Sequence, residues 1–392
     1  MHLLAVIAAI AHGQALNEWN PVGGAASDGY VIGNHALTTD ACGNPVVAYS
    51  SLTHNNELVV RLRDRSVIDD SESGGGAERR PWIDLGASAA HRGAIRYPQL
   101  GLASSGEIVC AFQGQGEGDD EKAFAIAWSK SSGQWRTLGE VVPSATAGGS
   151  VLPQNSFPHP AAEISMATAP TATHANVQCD VFVAFLDITL ERRVTVVCVL
   201  ASDTAATSRW QLVGARGFSE QTAASLSLSI ATHQGSSGGA THVGYADGGK
   251  FMRATVRMWN VASSSWLVLG KRGFSVGKVT SLSVATESGS LAAATGVLTP
   301  WVAYADKALQ NRVVIRKWNV ISSVWEDVGG VDVGTIGTAM SSGAARDINL
   351  LLLPPLHLDT TPDARLTPLV TYIVHTNAID SKAIARTFDG SK

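Results

Sequence analysis

Short runs of apolar or β-branched residues alternate with polar ones along most of the chain, and one order of runs is written twice between Trp210 and Gly329. The first copy reads Trp210-Gln-Leu-Val-Gly214, Arg216-Gly-Phe-Ser219, Ser225-Leu-Ser-Leu228, His242-Val-Gly-Tyr-Ala-Asp247 and Trp259-Asn260. The second reads Trp266-Leu-Val-Leu-Gly270, Arg272-Gly-Phe-Ser275, Ser281-Leu-Ser-Val284, Trp301-Val-Ala-Tyr-Ala-Asp306 and Trp318-Asn319, and a third opens at Trp325. Tyr245 to Trp259 and Tyr304 to Trp318 both span 14 residues, whereas Ser225 to Tyr245 spans 20 and Ser281 to Tyr304 spans 23. Spacing is therefore fixed where strands pair and free where loops sit. Gly, Ser, Asp and Asn clusters separate four short runs per unit, which predicts four strands and tight turns. Nothing in the unit repeats at helical spacing.

The Trp-x-x-[Val/Leu]-Gly run occurs six times, at Trp19, Trp82, Trp135, Trp210, Trp266 and Trp325. A second-strand run also occurs six times, ending at Tyr49, Phe112, Phe185, Tyr245, Tyr304 and Tyr372. Strand-rich periods of about 40–60 residues imply propeller blades or a similar array. A four-stranded sheet cannot cover both its faces alone, but radial stacking lets each blade cover the next. The expected fold is thus all-β: a six-bladed β-propeller of four-stranded blades. The blades run about 24–86, 87–139, 140–214, 215–270, 271–329 and 330–392 plus 17–23. The last unit lacks its Trp strand, and Trp19–Gly23 lacks a blade, so the N-terminal strand is expected to close the ring beside Ala383–Phe388. Closure removes an open edge. The small residues Ser225, Ser227, Ser281 and Ser283 mark the run assigned to the innermost strand, where space is least.

Composition narrows the function. The chain has 29 basic and 33 acidic residues and a net charge of −4, which gives no support for nucleic-acid binding. Met1–Ala15 reads as a secretory signal, an apolar run ending in small residues and too short to span a membrane; residues 16–392 then form the single propeller domain, secreted. Of the four cysteines, Cys179 and Cys198 flank an expected hairpin and could pair across it, Cys110 lies in an apolar run as a buried thiol, and Cys42 sits in a turn. No Cys-x-x-Cys motif is present, so zinc is not expected.

In a propeller, the loops leading into the innermost strands share one face with those joining second to third strands. Asp187, Asp247 and Asp306 recur at one repeat position and read as turn caps; Arg216 and Arg272 also recur and read as structural. Residues outside the repeat are the better ligand candidates: Arg96, Tyr97, Glu117, Asp119, His159, Glu163, Arg346 and Asp347. The acidic loop Glu117–Glu121 offers oxygen ligands for Ca²⁺ but has no EF-hand spacing, so it reads as a solvated turn and no cofactor is expected.

Through Trp-x-x-Val-Gly, Gly-Phe-Ser and Val-Ala-Tyr-x-Asp, the chain resembles the Trp/Gly-repeat propellers of secreted lectin-like and kelch-like proteins. That resemblance covers nearly everything after residue 17 and implies an extracellular binding propeller, its ligand a glycan or a protein. The stretch Ile95-Arg-Tyr-Pro, Val109-Cys-Ala-Phe112 and Ser129–Trp135 resembles the first blade of sialidases, which implies a glycoside hydrolase as the alternative. It departs from the sialidase Asp-box, because Ser129–Trp135 has no Asp and Gln113 and Gln115 stand where an arginine is expected. A structural surface component is the third reading.

Overall fold

The computed structural model describes residues 31–63, 82–86, 90–91, 93–115, 121–138, 160–174, 177–201, 210–232, 239–287, 298–328, 344–353, 367–375 and 381–387. Trp19–Gly23, Glu117, Asp119 and His159 lie outside these residues, so ring closure and those three candidate positions do too.

Among the described residues, twenty-three strands form six sheets, each a meander in chain order. Sheet 1 holds β1 (Val31–Thr39), β2 (Pro45–Ser51), β3 (Glu57–Leu62) and β4 (Ile83–Asp84). Sheet 2 holds β5 (Ala94–Leu102), β6 (Ile108–Gln115), β7 (Ala123–Ser129) and β8 (Gln134–Thr137). Sheet 3 holds β9 (Ala161–His174), β10 (Val177–Asp187), β11 (Arg193–Val199) and β12 (Gln211–Leu212). Sheet 4 holds β13 (Ala223–Thr232), β14 (Gly239–Asp247), β15 (Arg253–Asn260) and β16 (Ser265–Val268). Sheet 5 holds β17 (Val279–Thr286), β18 (Pro300–Asp306), β19 (Arg312–Asn319) and β20 (Val324–Asp327), and sheet 6 holds β21 (Ala345–Leu353), β22 (Thr367–His375) and β23 (Ser381–Thr387). The described helical residues are all single 3₁₀ turns. The chain divides into two compact units, Met1–Thr168 with Val199–Gln211, and Ala169–Cys198 with Leu212–Lys392.

Burial follows the strand's place in its sheet. Every residue of β2 and β18 is buried, because both faces of a second strand are covered, while β8 and β20 are largely exposed. In the first unit, Val46, Ala48 and Leu58 of sheet 1 pack with Ile95, Ile108 and Phe112 of sheet 2. In the second, Ala246, Ala254 and Val256 of sheet 4 pack with Leu282, Val302 and Tyr304 of sheet 5.

The repeated tryptophans join one sheet to the next. Trp135 Nε1 donates to the Leu85 carbonyl at 2.6 Å, Trp210 to Leu138 at 2.9 Å, Trp266 to Val213 at 2.8 Å and Trp325 to Leu269 at 3.0 Å. The acceptor is in each case the residue just before the glycine of the preceding Trp-x-x-[Val/Leu]-Gly run. The runs at Trp135, Trp210 and Trp266 therefore each supply both halves of the contact, an indole N–H facing backward and a carbonyl facing forward. Trp128–Trp135, Trp259–Trp266 and Trp318–Trp325 are tilted cross-strand pairs with centroids 5.4–5.5 Å apart.

A second connection uses the first strands. The backbone N–H of Ile95, Ala223, Val279 and Ala345 donates to the carbonyl of Asn56, Arg192, Met252 and Asn311 in turn, at 2.8–3.0 Å. Ala161 does the same to Glu121. Serine hydroxyls complete it: Ser227 Oγ accepts from Val284 N–H at 2.9 Å, and Ser281 and Ser283 Oγ accept from Ile348 and Leu350 N–H at 3.0 Å. A first strand has one unpaired edge, and these hydroxyls satisfy its buried N–H groups from the neighbouring sheet. The serines are thus bonding groups as well as small ones. Ser283→Ala is expected to cost about 1–2 kcal/mol in urea denaturation, since Leu350 N–H would stay buried without a partner.

Candidate functional site

The three recurring aspartates cap the 3₁₀ turn after their strand. Asp187 accepts from Thr189 N–H at 3.1 Å, Asp247 from Gly249 N–H at 3.0 Å and Asp306 from Ala308 N–H at 2.9 Å. Arg216 and Arg272 reach these caps from the loop leading into the next first strand. Arg216 Nε lies 2.6 Å from Asp187 Oδ2, and Arg272 Nε and Nη2 bond both carboxylate oxygens of Asp247. The two sets of loops therefore meet at one end of sheets 3 and 4. Asp187 and Asp247 are almost fully buried, so each needs its arginine.

Sheet 4 elaborates this pairing. Glu220 bonds Arg272 and lies 3.4 Å from Arg257. Arg257 also donates to Tyr245 Oη at 2.9 Å and lies over the Phe218 ring, which stacks on Trp266 at 4.5 Å. Burial pushes the Tyr245 hydroxyl up to about 12, against the pull of Arg257. These groups are mutually bonded, as a packing role requires.

Three of the candidate ligand residues, Tyr97, Glu163 and Asp347, share one register position. Counting from the donating N–H of Ile95, Ala161, Ala223, Val279 and Ala345, the second residue onward is Tyr97, Glu163, Ser225, Ser281 and Asp347. Arg96 and Arg346 both stand one residue earlier. The strand bulges there: the register shifts between Arg96 and Gln99, between Ala224 and Ser227, and between Arg346 and Asn349. Tyr97, Ser225 and Asp347 adopt φ of 52°, 52° and 51°, the left-handed region uncommon for residues with a Cβ. Arg346 and Asp347 are exposed and lie 3.5 Å apart; Arg96 is exposed on β5. Only the arginine recurs, at Arg96 and Arg346, while Tyr97, Glu163 and Asp347 each occur in one sheet only.

Cys179 and Cys198 are joined as a disulfide with Cα atoms 5.8 Å apart. Cys110 is free and buried, and burial pushes its thiol far up, so it stays protonated; Cys42 is free and exposed. The described residues contain no group of three or more potential metal ligands and no helix long and apolar enough to cross a membrane.

The fold is similar to that of β-propellers. A triple arginine-to-alanine mutant of AofleA from Arthrobotrys oligospora matches with a TM-score of 0.54 and 8% identity, over 91% of this chain and 83% of that one. A Penicillium chrysogenum α-L-arabinanase complexed with arabinobiose matches at 0.50 and 10% identity, over 94% and 96%. A mutant Aleuria aurantia lectin in complex with Fucα1-6GlcNAc matches at 0.48 and 11%, over 91% and 92%. No protein-family model matches the chain, and no curated protein does.

Proposed function

We propose that this chain is an extracellular six-bladed propeller that binds a glycan at its loop face without hydrolysing it. The six sheets would be the blades, with Trp19–Gly23 as the outer strand of the last one. The observation that carries the reading is the bulged position at the start of the first strands. Packing explains the recurring aspartates and arginines, which are bonded to one another. It does not explain Arg96, Arg346 and Asp347, which are exposed where a rigid bulge holds them. A saccharide ligand suits a fold shared with a structure complexed with arabinobiose. The Cys179–Cys198 disulfide suits an oxidising compartment. An extracellular protein ligand and a role in surface assembly remain secondary to this.

A hydrolase is the second reading, favoured by the similarity to the arabinanase. Glycan-array binding and hydrolysis of sialyl, arabinosyl and aryl glycosides, measured together, separate the two. The expected outcome is array binding that falls at least about tenfold in Arg96→Ala or Arg346→Ala, a loss equal to one or two hydrogen bonds to a charged group, with no turnover. Turnover that disappears in Arg96→Ala or Asp347→Ala would replace this reading with the enzyme.

A further inference from the structure

The turn between second and third strands has one backbone path in sheets 3, 4 and 5. Its left-handed pairs are Glu191–Arg192, Phe251–Met252 and Gln310–Asn311, each followed by the arginine that begins the third strand. In sheet 3 the Glu191 carboxylate pairs with Arg193 at 3.5 Å, and in sheet 5 Gln310 Oε1 accepts from Arg312 Nη2 at 3.3 Å. Sheet 4 has Phe251 in the partner's place, and Arg253 has no acidic partner among the described residues. Phe251 is 85% exposed with φ of 57°, an uncommon conformation for a bulky side chain.

Cations without acidic partners surround it. Lys250, Lys271, Lys278 and Lys307 are exposed, and among the described residues none forms an ion pair. Backbone and Cβ approaches place Lys250, Arg253, Lys278 and Lys307 on one surface. A Cβ on Gly273 would stand 2.7 Å from Lys250 Cβ and 3.3 Å from Arg253 Cβ. Lys307 N–H donates to the Lys278 carbonyl at 2.8 Å, and Val279 N–H to that of Met252 at 2.8 Å. The nearby carboxylates are already engaged: Asp247 and Asp306 are buried turn caps, and Glu220 is bound to Arg272 and Arg257. A chain of net charge −4 thus concentrates four cations at the loop end of two sheets, a field that attracts and orients an anionic ligand.

We infer that this surface binds an acidic glycan, a chain carrying sulfate or uronate groups, with Phe251 as the platform for the apolar face of one sugar ring. The inference rests on the glycan-binding reading above and adds its charge class and a place for it. One exposed aromatic among spaced cations suits a saccharide; single-stranded nucleic acid is held by a series of aromatics on which successive bases stack.

The test is titration of the full chain with a heparin octasaccharide at several NaCl concentrations. Lys250→Gln/Lys278→Gln/Lys307→Gln is expected to weaken binding at least about tenfold and to reduce the slope of log K against log salt by about two to three. Phe251→Ala is expected to weaken it about three- to tenfold with the slope unchanged, since stacking is insensitive to salt. Heparin affinity unchanged in the triple variant overturns the inference, as does tighter binding of a dT oligonucleotide lost in the same variants. Neutral-glycan binding that persists while heparin does not bind refutes the acidic site and leaves the broader reading standing; absence of both refutes both.

Discussion

Gly214→Ala is expected to lower the unfolding free energy by about 2–5 kcal/mol, and Gly43→Ala by only about 1–2. Both glycines have left-handed φ, 83° and 78°, so both substitutions force an alanine into a conformation costing about 1–2 kcal/mol. They differ in what surrounds the new methyl. At Gly43 nothing lies within 4 Å. At Gly214 it would stand 2.6 Å from Trp259 Cζ3 and 2.9 Å from Trp266 Nε1. Those atoms belong to a cross-strand indole pair, and Trp266 is fixed by its bond to the Val213 carbonyl. The pair cannot retreat without breaking that bond, so overpacking adds about 1–3 kcal/mol. Urea denaturation of the two variants against the parent chain is the measurement. Equal effects would mean that backbone conformation alone, and not the contact between sheets, selects glycine at this position.

This pair of glycines shows what the sequence could carry. Trp-x-x-Val-Gly is visible as a string, and its recurrence correctly orders the strands and their meander pairing. The aspartate caps at Asp187, Asp247 and Asp306 were legible too, because a cap acts within two residues of itself. The indole-to-carbonyl bond was not, since Trp266 and its acceptor Val213 are 53 residues apart and only the stacking of sheets brings them together. The serines were legible as small but not as donors and acceptors between first strands, for the same reason. Phe251 was missed because an aromatic beside a strand normally reads as core. Its exposure follows from a turn geometry that its own residue type disfavours. Arg96 and Arg346 were singled out as candidates because they fall outside the repeat, and their shared register appears only once the anchoring N–H bonds are counted.

Acid should destabilise this chain through one histidine. His242 lies on β14 opposite Ser229 of β13 and Met258 of β15, with no exposed surface. Its Nδ1 is 2.9 Å from Thr286 Oγ1 of sheet 5, while its Nε2 is buried with no partner. Burial lowers its pKa from 6.5 to about 3, because a charged imidazolium there would lose its hydration with no carboxylate in exchange. The unfolded chain therefore binds a proton that the folded chain refuses between about pH 6.5 and 3. The contribution to stability is fully present above about pH 6.5 and is lost as pH falls. At 1.36 kcal/mol per pH unit the loss is about 3 kcal/mol by pH 4.5 and about 5 kcal/mol by pH 3. Most carboxylates titrate below about pH 4.5, so the upper part of that window isolates the histidine. Urea denaturation between pH 7 and 4.5 should show the midpoint falling steadily in the parent chain. His242→Gln keeps a polar partner for Thr286 and cannot take up a proton, so its midpoint should stay nearly flat over the same range. A parent and a variant with parallel pH dependence would place the acid sensitivity elsewhere in the fold.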